Sequence, residues 1–366
     1  MCDHVRTVRG NVIESTHLVH AAIVHSSGSL LYSVGNPYRP TLLRSTCKPA
    51  QTVAVLESCV ETFSFSAAEI ALMSASHSSE ARHISQASDI LAAVGAREAD
   101  MRCGGHPALS EAVNNNWIKR GFTPGAVCNN CSGKHAGMLG GAKALGAGFA
   151  DYHLPGHPMQ RAVKEVVEEI SGLNTNDIEW AVDGCNLPAP AMPLTGMATL
   201  YARFADAVGN AQDSRTRYMK RVFEAMYTHP EMVAGEGRFC TELMSAYGDL
   251  LIGKLGADGC YGIGIRESEY TKRLGMSTGG IGIAVKIEDG NINILYAAVM
   301  EILVQLGIGT EEVRNKLRSW HTPSVFNTMG IVTGVTSHSY IVRRHSVVVR
   351  GERDEGEERA ALASFV

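Results

Sequence analysis

Leu18-Val-His-Ala-Ala-Ile-Val-His25, then Ser26-Ser27-Gly28, then Leu30-Leu-Tyr-Ser-Val34 is the stretch that sets the fold class. Two short apolar runs flanking a turn signal predict an antiparallel hairpin. Beyond it the texture changes. Pro49 suits the first turn of a helix over 49–60, where its missing N–H costs nothing. Ser66-Ala-Ala-Glu69 is a capping box ahead of an apolar run, so another helix starts there. Helical spacing continues over 79–94, 107–120, 132–145, 158–171, 191–208, 212–228 and 236–252. Strand character returns at 261–266 and 280–288, followed by the tight turn Asp289-Gly-Asn291 and helices over 292–307 and 310–319. Strands at both ends with a helical middle predict an α+β protein, its terminal strands sharing one sheet covered by helices. No repeat or linker interrupts residues 1–336, which read as a single domain. Residues 337–366, where Arg343, Arg344, Arg350 and Arg353 mix with a run of acids, read as a poorly ordered charged tail.

Composition excludes several classes of function. Of 366 residues 45% are hydrophobic and 19% charged, enough apolar surface to offset chain entropy and exclude disorder. With 33 basic and 37 acidic residues the formal charge is −4, which gives no electrostatic reason to bind nucleic acid. No apolar run approaches the roughly 18 residues of a membrane helix. The start, Met1-Cys-Asp-His-Val-Arg6, lacks the basic-then-apolar pattern of a secretory signal, so a cytoplasmic location is expected. Nine cysteines, odd in number and widely spread, read as free thiols in a reducing compartment.

Five clusters carry groups that do chemistry. In Arg44-Ser45-Thr46-Cys47-Lys48-Pro49, Ser45 and Lys48 lie one helical turn apart. A lysine whose pKa is lowered by burial or a neighbouring cation such as Arg44 can take a serine proton, although an N-cap serine followed by a solvated lysine is the better reading of a bare S-x-x-K taken alone. Ser74-Ala-Ser76-His77-Ser78-Ser79-Glu80 offers N-caps for the next helix at Ser78 or Ser79, and more hydroxyls than capping needs. A second catalytic serine would fit an exposed junction of that kind. Cys128-Asn-Asn-Cys131-Ser-Gly-Lys134-His135 has no second C-x-x-C, which disfavours a four-cysteine zinc site. Asp183-Gly-Cys185-Asn-Leu-Pro188 offers an acid and a thiol in a turn; Cys185 meeting Cys131 around a metal is one reading, a turn aspartate with a buried thiol the other. Gly253-Lys254-Leu255-Gly256, near the first late strand, carries the K-x-G that accompanies S-x-x-K in penicillin-interacting enzymes, or is simply a surface lysine beside a turn.

Taken in order, Arg44-Ser-Thr-Cys-Lys-Pro49, Ala75-Ser-His77, Cys128-Asn-Asn-Cys-Ser-Gly-Lys-His135, Val182-Asp-Gly-Cys185 and Gly279-Gly-Ile-Gly-Ile-Ala-Val-Lys286 resemble the rhizobial-type, class 3 L-asparaginases of the asparaginase II family. The resemblance spans about Val8 to residue 330. It implies the fold of serine β-lactamases and glutaminases, a mostly antiparallel sheet with a helical subdomain, and a homodimer. It further implies hydrolysis of L-asparagine to aspartate and ammonia, with Ser45 as nucleophile, Lys48 as its base, and Ser76 paired with Lys254. A zinc ion would be held by Cys131, Lys134 and Cys185, whether or not turnover requires it. Asp183, Arg44 and His135 would shape the substrate pocket. Ranked below this are a penicillin-interacting serine peptidase or β-lactamase and, from another class, a non-catalytic zinc or redox thiol protein.

Overall fold

The computed structural model describes residues 3–346. Its strands are β1 (His4–Arg9), β2 (Val12–His25), β3 (Leu30–Val34), β4 (Pro40–Leu42), β5 (Glu179–Val182), β6 (Pro188–Pro193), β7 (Leu251–Gly256), β8 (Cys260–Ile265), β9 (Ile281–Ile287), β10 (Ser324–Phe326), β11 (Val332–Ser339) and β12 (Arg343–Arg344). The large sheet runs β10-β11-β1-β2-β9-β8-β7, with β3 and β12 branching from β2. Every pairing is antiparallel. β2 is long enough to serve two neighbourhoods: its first half pairs with β1, and its second half with β9 and β3. The expected hairpin is present, with Ala21 opposite Val34 and Val24 opposite Leu30. A small sheet, β4-β6-β5, stands apart.

Helix Leu194–Asp206 lies on β2, β8 and β9. Glycines let it come that close. Gly262 and Gly264 on β8 and Gly280 and Gly282 at β9 face it, and a Cβ on Gly282 would fall 1.8 Å from the Ala198 carbonyl oxygen. Their neighbours point to the opposite face, as strand alternation requires. There Tyr261 meets Tyr296 of helix Ile292–Gln305, with ring centroids 6.3 Å apart. The helices Lys48–Cys59, Ala67–Met73, Ala81–Val94, Ser132–Ala144, Pro158–Ser171 and Ser214–Thr228 pack chiefly on one another. Ser66 caps the second of these through the expected box with Glu69. The architecture is α+β, as expected.

The carboxy-terminal boundary needs correction. β11 pairs with β1 through Ser339, and Tyr340 is buried against the core. Arg343 forms an ion pair with Asp3 at 2.6 Å and pairs with Ser33 of β3. Residues 337–339 and 343–344 therefore belong to the sheet, with Tyr340 packed on the core between them, because charged residues at a sheet edge find partners there. The remainder of the expected tail, 347–366, lies outside the described residues.

Candidate active site

A short 3₁₀ turn, Arg44–Cys47, leads into helix Lys48–Cys59. Three contacts fix it. The Tyr201 hydroxyl donates to the Thr46 carbonyl at 2.7 Å, the Thr46 hydroxyl donates to the Leu43 carbonyl at 2.7 Å, and β7 passes beneath. A Cβ at Gly256 would come within 2.7 Å of the Leu43 carbonyl oxygen, which is why the lysine of β7 is followed by a glycine two residues on. Arg44 sits at φ +50°, in the left-handed region that costs a non-glycine residue about 1–2 kcal/mol. Its guanidinium donates to Asp183 at 3.2 Å and to Asp258 at 2.6 Å, contacts that offset the strain.

The Lys48 amine does not pair with Ser45, as the S-x-x-K spacing suggested. It donates to the Ala75 carbonyl and, at 3.0 Å, to the Ser76 hydroxyl. The Lys254 amine reaches the same hydroxyl at 2.9 Å and also donates to the Leu255 carbonyl at 2.8 Å. Lys48, Lys254 and Ser76 are buried, whereas Ser45 is partly exposed. Burial, reinforced by the charge of Lys48, pulls the Lys254 pKa down to about 7.

The hydroxyl-rich junction is buried, contrary to expectation, and each of its serines has a separate task. Ser74 bonds Thr52, Ser78 donates to the Ala234 carbonyl, and Ser79 donates to the Cys128 carbonyl. The next helix is capped by Glu80, not by Ser78 or Ser79. His77 bonds Ser132 at 2.8 Å and accepts from the Ser79 amide, which stiffens the loop that presents Ser76.

Cys131, Lys134 and Cys185 come together in a second pocket, each 5% exposed or less. Lys134 donates to the Cys185 sulfur at 3.1 Å. The hydrogen-bonding interaction between the Cys131 and Cys185 sulfurs drops the Cys185 pKa to about 5 against the effect of burial and, with burial, pushes Cys131 up to about 12. Burial alone would lower Lys134, but Cys185, Cys131 and Asp183 outweigh it and raise the amine. Two sulfurs and an amine converging out of water suit a borderline-soft cation such as zinc, provided Lys134 gives up its proton on binding. Asp183 joins this pocket to the first one. Burial raises its pKa, but Lys134, Lys48 and Arg44 together hold it below the usual carboxylate value.

His135 is fully buried and kept neutral, its pKa pulled to about 3 by burial and by the charge of Lys134. Its Nδ1 lies 2.5 Å from the Tyr152 hydroxyl, and that oxygen accepts the Arg102 amide at 2.9 Å. Tyr152 and Asp258 are site-supporting residues that sequence reading missed. For Asp258 a signal existed: Asp258-Gly259 is a turn dipeptide, and Asp258 takes φ +58°. Cys128, the other half of the C-x-x-C, is a buried free thiol, while the Cys131 thiol donates to Asn130 Oδ1 at 3.3 Å.

Serine, two lysines and a thiol–amine donor set, on an antiparallel sheet covered by helices, define the kind of site the chain builds. Compared with known families, residues 5–338 match L-asparaginase II, and the chain belongs to that family. A comparison with curated proteins gives no match.

Proposed function

We propose that the protein is an L-asparagine amidohydrolase that works through a serine activated by lysine. Family membership supports the reaction class. The observation that carries the mechanism is the Ser76 hydroxyl lying between the Lys48 and Lys254 amines, at 3.0 and 2.9 Å. Ser45 is the partly exposed hydroxyl, set one turn before Lys48, and is assigned as nucleophile. Its oxygen bonds to the side-chain amide carbon while its proton passes to Lys48. The proton held by Lys48 passes through the Ser76 hydroxyl to the leaving nitrogen as the C–N bond breaks and ammonia departs, and neutral Lys254 then accepts, through Ser76, the proton of the hydrolytic water. Water then hydrolyses the aspartyl ester. Asp183, held anionic beside Arg44, suits the substrate's ammonium group, and His135 walls the pocket as a neutral ring.

Cys131, Lys134 and Cys185 would hold zinc, whose positive charge would position and polarise the substrate. The free cysteines, all buried among the described residues, support a reducing, cytoplasmic setting. No described helix is long and apolar enough to cross a membrane. A homodimer is supported by exposed apolar side chains gathered at the β1–β2 and β10–β11 turns: Val12, Ile13, Phe326, Met329 and Ile331.

Ammonia release from asparagine by wild type and Ser45→Ala tests the reading, together with peptide mapping of an acid-quenched reaction. An acyl adduct on Ser45 supports the assignment. The two hydrogen bonds at Ser76 favour one alternative, in which Ser76 is the nucleophile, and an adduct there would establish it.

A further inference from the structure

Three residues far from one another in sequence meet at the carboxy-terminal strand. Glu301 lies on helix Ile292–Gln305, His321 ends helix Arg318–His321, and His338 is on β11. One donor atom from each falls within 4.8 Å of the others. His321 Nε2 lies 2.6 Å from a Glu301 oxygen, and the two imidazoles stack with centroids 5.1 Å apart. His338 Nε2 lies 3.1 Å from the His321 carbonyl oxygen, which can only accept, so that nitrogen carries the proton. Nδ1 of His338 is then a bare lone pair. It is buried and has no hydrogen-bond partner among the described residues.

We infer that Glu301, His321 and His338 form a binding site for a divalent transition cation, separate from the Cys131, Lys134 and Cys185 set. Two imidazoles and one carboxylate suit a zinc-like ion with water in the remaining position. The supporting contacts are of the kind metal ligands use: the far nitrogen of His338 bonds a backbone carbonyl, and the other oxygen of Glu301 accepts from Gln305 at 2.7 Å. Glu301 and His321 keep 17% and 22% of their side-chain surface exposed, so an ion can enter from solvent. A bound ion would tie β11 to helix Ile292–Gln305, beside the Tyr340 hydroxyl, which donates to the Ala298 carbonyl at 3.0 Å.

The test is equilibrium dialysis of chelator-stripped full-length protein against Zn²⁺, with bound metal counted by mass spectrometry. The Cys131→Ser/Cys185→Ser variant is expected to keep one equivalent and to gain thermal stability on adding Zn²⁺. Adding Glu301→Gln or His338→Ala to it should weaken that equivalent by roughly 100-fold or more. A cysteine variant that binds none, or unchanged binding after Glu301→Gln and His338→Ala, overturns the site. Should the cysteine variant fail to fold, Co²⁺ titration of wild type decides. A cobalt equivalent with d–d bands and no sulfur charge-transfer band supports the site; only sulfur-bound cobalt overturns it.

Discussion

The Lys254 amine lies 2.9 Å from the Ser76 hydroxyl although 178 residues separate them. Because this amine is pulled down to about 7, its neutral form prevails above neutrality and can accept the serine proton there. The turnover rate should therefore rise through about pH 7 and level off above it. A profile flat from about pH 5 upward, as a carboxylate base would give, contradicts a lysine base.

The same amine affects stability with a definite sign. Its folded pKa lies below the value of about 10.4 in an unfolded chain, so between about 7 and that value the unfolded state binds more protons and stability rises with pH. Below about 7 the cost of burying the amine is fully present. Lys254→Met removes that cost. Its melting temperature relative to wild type should be higher at pH 6 than at pH 9, and an equal difference at both would contradict the lowered pKa.

Substitution at the serines should separate two roles. Ser45→Ala is expected to abolish ammonia release, while Ser76→Ala should lower kcat by about 10²–10⁴-fold, the range of a lost proton-transfer group. KM should change little in Ser76→Ala, since the hydroxyl is buried between amines. Steady-state kinetics of both variants distinguish relay from nucleophile.

Gly282→Ala is expected to destabilise the protein by about 2–4 kcal/mol, since the new methyl would meet backbone and not a movable side chain. Helix Leu194–Asp206 would have to lift, taking the Tyr201 contact to Thr46 with it. Urea unfolding should show the loss, and activity should fall even where the variant is fully folded.

Phe326→Asp or Met329→Asp should shift the protein toward monomer if the apolar turns join two copies. Light scattering coupled to size-exclusion chromatography reads this directly. An unchanged dimer would move the interface elsewhere.

Much of the fold was legible where local chemistry is self-sufficient. The Ser66–Glu69 box, Pro49 and the β2–β3 turn fix their elements without outside help. Strands that depend on distant partners were not legible. β1, His-Val-Arg-Thr-Val-Arg, has its apolar residues three apart and so lacks strand alternation, β6 contains three prolines, and the first two residues of β7 read as the end of the preceding helix until β8 is placed beside them. At the site, the motifs marked the right segments, but spacing within one helix turned Lys48 toward Ser45. What directs it to Ser76 is a loop arriving from residue 76, whose position the His77–Ser132 bond helps set. Glu301, His321 and His338 left no trace in the sequence, because no fixed spacing joins them.

β1 lies between β2 and β11, and β11 ends at Ser339. During synthesis, β1 must therefore wait until Val332–Ser339 has been made before both its edges are paired. Until then it presents an open ladder to neighbouring nascent chains. A chain ending before Val332 would leave that edge permanently unpaired and be prone to aggregate even with Ser45, Lys48, Ser76 and Lys254 all present.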